Sequence, residues 1–190
     1  MYEVYYEESA TVANPTSAKR KYNIGKILSI LSYCLTFVWF LIFLIFYGLS
    51  NVVIDLIVLF FPIITFIAIG IVIGKVKNTF YQEYDYAFVS GSVRVAKVFN
   101  MSKRRFLFEF NCDAIEKLGE YGSETYNQYA NMPGVKTQIL TPNDLPGNGK
   151  NFYYIVVNIN ADKKLLVFEC TKTFMLNVLK FSKKTVLEKE

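Results

Sequence analysis

Two long uncharged runs in the first half of this 190-residue chain limit what it can fold into. Residues 27–49 and 56–74 contain no Asp, Glu, Lys or Arg, and residues 52–54 extend the second run beyond Asp55. At about 1.5 Å per helical residue, each run can cross the roughly 30 Å hydrocarbon core of a bilayer. Residues 48–51 leave room only for a tight turn. The pattern predicts a transmembrane helical hairpin over residues 23–79, with spans at about 27–49 and 52–74.

Basic residues flank the hairpin on both sides, and the connecting turn has none. Loops rich in Lys and Arg stay on the cytoplasmic side of a membrane. We therefore expect a multi-pass protein of the cell membrane with both termini in the cytoplasm. A cleaved signal peptide is disfavoured, because the apolar run begins late and is too long. The flanking basic residues are Lys19, Arg20, Lys21, Lys26, Lys75 and Lys77.

Two features of the second span have more than one interpretation. An ionisable residue near a membrane can mark a functional site, but Asp55 is better explained as a cap of the second helix near its positive dipole end. Gly70 and Gly74 form a small-xxx-small pair, a spacing that can support a homo-oligomer through the spans.

The remaining segments differ in composition from the hairpin. Residues 1–22 have no apolar periodicity, and we predict a mobile N-terminal tail. From Phe80 onward, short runs rich in β-branched and aromatic residues alternate with turn signals such as Ser90-Gly91. Seven strands are predicted, near residues 84–89, 93–99, 105–110, 114–118, 135–140, 152–159 and 165–169, with residues 122–132 as a loop or short helix.

The spacing of apolar residues changes from that of strands to that of a helix in the last predicted element. Phe174, Val178 and Phe181 recur at helical spacing, with Met175 and Leu179 beside them, so an amphipathic helix begins near Thr171 or Thr173. About seven strands followed by one such helix is the order of a pleckstrin-homology-like (PH-like) antiparallel β barrel with a C-terminal capping helix. The predicted fold class is thus a membrane α-helical hairpin plus an α+β domain, although another small α+β fold has a similar composition.

Several motifs also resemble a family of small bacterial, mostly Firmicute, membrane proteins of unknown function. The resemblance covers nearly the whole chain and implies two transmembrane helices with a cytosolic PH-like domain over residues 80–190. It implies no activity and no site residues. Cys170 and Thr171 depart from the family pattern at the start of the last helix. The motifs lie at residues 84–91, 97–100, 132–136, 151–154 and 163–169.

Catalytic and metal-binding patterns are weak. The chain has no histidine, so the commonest general base and metal ligand are missing. Its three cysteines are scattered without CxxC spacing, and Cys112 is better explained as an inert buried thiol. The glycine-rich residues 147–150 do not have phosphate-loop spacing. We expect no enzyme activity, cofactor or metal.

The best binding candidate is a basic hairpin. Under an anionic leaflet, each basic residue contributes about 1 kcal/mol of attraction, so this hairpin could contact anionic lipid headgroups. A solvated basic turn explains the same residues, and nucleic acid is a poorer partner because the charges are dispersed. The basic residues are Arg94, Lys97, Lys103, Arg104 and Arg105; four aromatic residues are predicted as membrane-interface anchors, namely Phe80, Tyr81, Tyr84 and Tyr86.

Two functions remain open on this basis. A non-catalytic, membrane-anchored binding or adaptor module at the cytoplasmic face needs no catalytic residues, and its partner would be lipid headgroups, a protein or a second copy. An accessory subunit of a membrane transporter or envelope enzyme complex is the alternative. That alternative needs a polar constellation in the spans, which the sequence does not display.

Overall fold

The computed structural model describes residues 4–47, 53, 55–159 and 162–182. The chain forms two compact units, a helical unit over residues 14–81 and a β domain that combines the residues up to Ala13 with those from Gln82 onward. The connecting turn at residues 48–51, predicted from the sequence, lies outside the described residues, as does the side chain of Asp55.

The helical unit contains the two predicted helices. Helix α1 spans Pro15–Phe46 and begins at Asn14, whose side chain accepts a hydrogen bond from the Ser17 N–H at 3.0 Å. A π-helical segment, Asp55–Phe60, leads into α2, Phe61–Phe80. Both helices are long and apolar enough to cross a membrane, and only 11% of each apolar window is buried. Such exposure is unlike that of a core helix in a soluble protein.

Small residues form the contact between α1 and α2. Ser29 donates to the Gly70 carbonyl at 3.0 Å, and Ser32 donates to the Phe66 carbonyl at 2.6 Å. A methyl group on Gly70 would come within 2.9 Å of the Tyr33 ring. The Gly70 and Gly74 pair therefore packs inside the hairpin, as small residues do between membrane helices. A homo-oligomer through the spans stays a prediction.

Sheet A of the β domain has four antiparallel strands in the order β1-β2-β3-β4. They are β1 Tyr5–Ala10, β2 Gln82–Val89, β3 Ser92–Phe99 and β4 Lys103–Asn111. The predicted mobile tail over residues 1–22 is wrong, because residues 5–10 pair along their whole length with residues 84–89 of β2 and residues 15–22 are helical. Along the chain, the whole helical unit thus lies between β1 and β2, which are neighbouring strands of one sheet.

Sheet B has the order β5-β7-β8-β6, in which β6 runs parallel to β8 and the other pairs are antiparallel. In the described residues, sheets A and B are separate rather than closed into the predicted barrel. Sheet B follows a 3-10 turn at Cys112–Ala114, and α3 precedes β6. The elements are β5 Ile115–Glu120, α3 Glu124–Ala130, β6 Lys136–Ile139, β7 Asn151–Ile159 and β8 Asp162–Cys170.

The core of the β domain lies between the two sheets and under α4, Lys172–Phe181. Thr171 caps this helix by accepting from the Phe174 N–H at 3.3 Å, which confirms the predicted start. The predicted apolar stripe buries Phe174, Met175 and Val178. Sheet strands contribute the other large buried side chains, including Tyr86, Phe88, Tyr153, Ile155, Leu166 and Phe168.

Candidate membrane-facing site

One end of sheet A carries both chain connections to the helical unit. Ala10, the last residue of β1, pairs with Tyr84, and Gln82, the first residue of β2, pairs with Phe99. Phe99 in turn pairs with Lys103 across the next hairpin. The turn between β3 and β4 therefore lies at the same end of the sheet as the two points where the chain leaves for, and returns from, the apolar helices.

That turn has an unusual backbone for its residues. Asn100 and Met101 have φ values of 50° and 54°, and the Ser102 N–H donates to the Phe99 carbonyl at 3.1 Å. Two central residues with positive φ are typical of the tight hairpin turn that matches the strand twist. Asn tolerates this conformation, but Met lacks a side chain that compensates for it. Met101 is 69% exposed, so an apolar side chain stands at the tip of the hairpin.

The five predicted basic residues divide between the two faces of sheet A. Lys97 pairs with Tyr84 and Arg105, so these residues share the face that continues into the core, and alternation puts Lys103 on the same face. Arg94 and Arg104 lie on the outer face. The structure does not form one five-residue patch; it brings together Lys97, Lys103 and Arg105 at the turn end.

A β-bulge decides where Arg104 points. Val95 pairs with Phe108, and Ala96 pairs with Phe106, so Leu107 is the extra residue in β4. Phe106 therefore turns to the outer face and is 60% exposed, although its spacing with Phe108 suggests a shared buried face. The same shift carries Arg104 to the outer face.

Both arginines of the outer face have carboxylate partners. Arg104 forms ion pairs with Asp85 and, at 3.2 Å, with Glu7 of β1. The hydrogen bond and charge of Asp85 raise the pKa of the Arg104 guanidinium. Arg94 lies 3.0 Å from Glu109. Hydrogen bonds from Ser92 and then from Arg94 lower the pKa of Glu109. These contacts neutralise Arg94 and Arg104 and leave them less available for an anionic ligand.

The three cations at the turn end have different surroundings. The Lys97 Nζ lies 5.1 Å from the centre of the Tyr84 ring and 5.5 Å from that of Phe99, distances typical of cation–π contacts. Lys103 and Arg105 are exposed. Among the described residues, no carboxylate forms an ion pair with any of the three. The turn end therefore combines unneutralised positive charge with the exposed Met101.

The predicted aromatic anchors do not form one interfacial belt. Phe80 is exposed, but Tyr81, Tyr84 and Tyr86 are buried. Tyr86 donates its hydroxyl to the Leu140 carbonyl, and its ring makes an edge contact with Phe168 at 5.0 Å. The anchor prediction is wrong for Tyr84 and Tyr86, because alternation along β2 directs both into the domain core. Tyr81 is also too enclosed to serve as an exposed anchor.

A buried polar network that sequence reasoning missed holds β1 in place. The Glu8 carboxylate accepts from the Thr171 N–H at 2.9 Å, at the N-terminus of α4, and lies 3.7 Å from the Lys150 ammonium. Asn143 donates to the Thr11 carbonyl at 2.7 Å and to Glu169 at 2.8 Å. Lys150 therefore has a structural contact that its position in a glycine-rich loop did not suggest. No local sequence pattern signals these long-range contacts.

Cys112, Cys170 and Glu116 lie in surroundings that explain them as structural rather than catalytic residues. Burial raises the pKa of the Cys112 thiol to about 12, and burial also raises the pKa of Cys170 well above its ordinary value. Glu116 pairs with Lys163 at 2.7 Å and accepts from Asn158 at 2.8 Å. A raised thiol pKa opposes the thiolate form that nucleophilic chemistry needs.

The match to a protein family agrees with this architecture. The bacterial PH-like domain family DUF6106 matches residues 5–188, which include β1, both long helices and α4. The chain belongs to this family. No curated protein and no solved structure matches it. A PH-like domain joined to two helices of membrane-spanning length indicates a membrane-anchored module.

Proposed function

We propose that this DUF6106 protein is a non-catalytic, membrane-anchored binding module whose β domain contacts anionic lipid headgroups at the cytoplasmic face. The contact would be made by Lys97, Lys103 and Arg105, with Met101 at the tip. The observation that carries the proposal is the strand register, because it places these residues at the end of sheet A from which the chain continues into the apolar helices.

The short connections support a headgroup contact at this end. Residues 11–14 join β1 to α1, and Tyr81 alone joins α2 to β2. A domain tethered by two short connections stays at a high effective concentration near the bilayer. The lipid contact then needs only to orient the domain, so weak individual interactions suffice.

The charge at the turn end is adequate for that task. Each basic residue near an anionic leaflet contributes about 1 kcal/mol, so three contribute about 3 kcal/mol, or roughly a hundredfold preference for the contacting orientation. Arg94 and Arg104 would add little, because Glu109, Asp85 and Glu7 already neutralise them.

The test uses the full chain in lipid nanodiscs, with an environment-sensitive fluorophore at Met101→Cys in a Cys34→Ala background. Cys112 and Cys170 are buried, so labelling is selective for the tip. We expect blue-shifted, brighter emission in discs of phosphatidylcholine with phosphatidylglycerol than in phosphatidylcholine alone. The variant Lys103→Glu/Arg105→Glu should lose this difference.

A matched control separates local from general electrostatics. Lys172→Glu/Lys180→Glu makes the same change in charge on two exposed residues of α4. This control should keep the lipid-dependent emission. The proposal fails if emission is the same in both kinds of disc, or if the control loses the difference as completely as the Lys103/Arg105 variant.

A cleft on sheet B favours a protein partner as the second candidate, consistent with an adaptor or with an accessory subunit of a membrane complex. Its volume is about 340 Å³, and Phe152 and Val167 from neighbouring strands contribute to its lining. Ile139, on the edge strand β6, also lines the cleft and is exposed. Exposed apolar side chains next to a cleft are typical of protein-binding surfaces. Photo-crosslinking from position 139 in native membranes tests this candidate.

A further inference from the structure

The first turns of α1 carry a groove that the proposed function does not use. Its lining residues on this helix come in pairs four positions apart, a spacing that places them along one side of the helix. With Tyr81, which follows α2, they line a groove of about 530 Å³ in the helical unit. The helix residues are Pro15, Thr16, Lys19, Arg20, Asn23, Ile24 and Ile27.

The polarity of the groove changes along the helix axis. Lys19 and Arg20 come first, the amide of Asn23 follows, and Ile24 and Ile27 continue the lining. Ile27 is also the first residue of the uncharged run. Arg20 and Ile27 are separated by roughly 10 Å along the helix. The groove therefore passes from positive charge to hydrocarbon over about the length of a lipid headgroup and its glycerol.

The positive charge in the groove is not neutralised by the chain. No Asp or Glu occurs between Glu8 and Asp55 in the sequence. Within the described part of the chain, Lys19 and Arg20 have no ion pair. Both are exposed. Two adjacent cations above an apolar wall complement a phosphate attached to acyl chains, and they repel a ligand whose outermost group is cationic.

We propose that this groove binds one anionic phospholipid. Lys19 and Arg20 hold the phosphate and the anionic headgroup, Asn23 faces the glycerol region, and an acyl chain lies on Ile24 and Ile27. A zwitterionic choline lipid binds more weakly, because its terminal cation meets the same two basic residues. The site lies in the helical unit, so it is separate from the Lys97, Lys103 and Arg105 site of the β domain.

The experiment is native mass spectrometry of the full chain released from detergent after incubation with phosphatidylglycerol or phosphatidylcholine. We expect one retained phosphatidylglycerol molecule and an apparent affinity at least several-fold weaker for phosphatidylcholine. Replacing two cations, in Lys19→Ala/Arg20→Ala, should weaken phosphatidylglycerol binding by about tenfold or more. Circular dichroism checks that the exposed substitutions leave the helices intact.

The matched control removes two other basic residues at the same membrane interface. Lys21 lies about 200° around α1 from Lys19, and Lys75 lies on α2; neither lines the groove. Lys21→Ala/Lys75→Ala should keep the bound lipid. Equal loss in both double variants, or equal affinity for the two lipids, overturns the proposal. Lys103→Glu/Arg105→Glu should not change the amount of retained lipid. A failure of the groove proposal can therefore be distinguished from a failure of the headgroup contact proposed for the β domain.

Discussion

Met101 combines an exposed apolar side chain with a backbone conformation that favours glycine. A φ of 54° costs an L-residue other than Asn or Asp about 1–2 kcal/mol. Met101→Gly should therefore raise the stability of the β domain by about 1 kcal/mol, measured by urea unfolding followed by circular dichroism. Met101→Ala is the control, because it removes the long side chain but keeps the strained conformation. A gain of equal size in the Ala variant would show that strain is not the cause.

Buried thiols make the β domain sensitive to alkaline pH. The pKa of Cys112 is raised to about 12, so the folded state keeps its proton while an unfolded thiol, with a pKa near 9, releases it. A raised folded-state pKa contributes stability that is complete below the unfolded pKa and is lost as pH rises toward the folded pKa. Stability should thus fall between about pH 9 and about pH 12, by up to about 1.4 kcal/mol per pH unit for a thiol with this shift.

Urea unfolding at several pH values measures this slope. Cys112→Ala should reduce the slope by about one group's contribution above pH 9, even though the smaller side chain also lowers stability at every pH. The control Leu118→Ala truncates a buried core side chain that does not titrate, so it should lower stability without changing the slope. A slope that is identical in the wild-type chain and in Cys112→Ala would exclude this source of pH dependence.

Strand β1 is the element whose removal should affect the fold most. It covers one edge of sheet A, and its Glu8 reaches both the start of α4 and Lys150. A fragment over residues 80–190 should therefore expose the edge of β2 and aggregate. A chain that joins residues 1–13 to 82–190 through a flexible linker of about eight residues should be a soluble monomer with a cooperative unfolding transition.

Size-exclusion chromatography and thermal unfolding of the two proteins make the comparison. In a control, the same linked chain carries Gly and Ser in place of residues 5–10, so its length is kept while the strand is lost. This control should behave like the fragment. If the fragment over residues 80–190 unfolds at the same temperature as the linked chain, β1 contributes no stability and the pairing with β2 is not needed.

Elements with local signals were predicted well, and elements that depend on distant partners were not. Ser90-Gly91 indicates a hairpin, and the stripe on α4 indicates a helix, because turn chemistry and side-chain period act over a few residues. Residues 5–10 carry mostly polar side chains, and their partner strand begins 72 positions after Ala10, since Ala10 precedes β2 at Gln82. Only the folded sheet reveals that pairing.

In the candidate site, too, local sequence signals predict some features, and the pairing of distant residues determines the others. Side chains alternate between the two faces of a strand, so Arg94 and Lys97, three positions apart, must lie on opposite faces. The sequence alone therefore predicts part of the division of the five basic residues between the two faces of sheet A. The bulge at Leu107 could not, because it depends on how β4 pairs with β3. Without that extra residue, Arg104 would share the face of Phe108 rather than reach Asp85. A shift of one residue in the pairing of two strands changes which side chains are neighbours across the sheet. The residue types along one strand do not determine that pairing.

At the scale of the whole molecule, strand pairing constrains membrane topology. The two apolar helices lie between β1 and β2 in the chain, and these strands are hydrogen-bonded neighbours. If the helices span the bilayer, both ends of the hairpin must open into the compartment that holds the β domain. The positive-inside rule, applied to the basic residues that flank the hairpin, predicts that this compartment is the cytoplasm. Sheet formation thus requires both ends of the hairpin to be on one side, and the charge distribution predicts which side that is.

The prediction is that short peptide tags placed before Met1 and after Glu190 have the same accessibility. Both should resist protease in right-side-out membrane vesicles and be cleaved in inside-out vesicles. Ser50→Cys in a Cys34→Ala background, at the position predicted to connect the spans, should react with a membrane-impermeant thiol reagent only from outside. Tags that are cleaved from opposite sides would separate β1 from β2 and contradict sheet A itself. If both tags are instead cleaved from outside, the sheet is retained and the charge-based orientation is reversed.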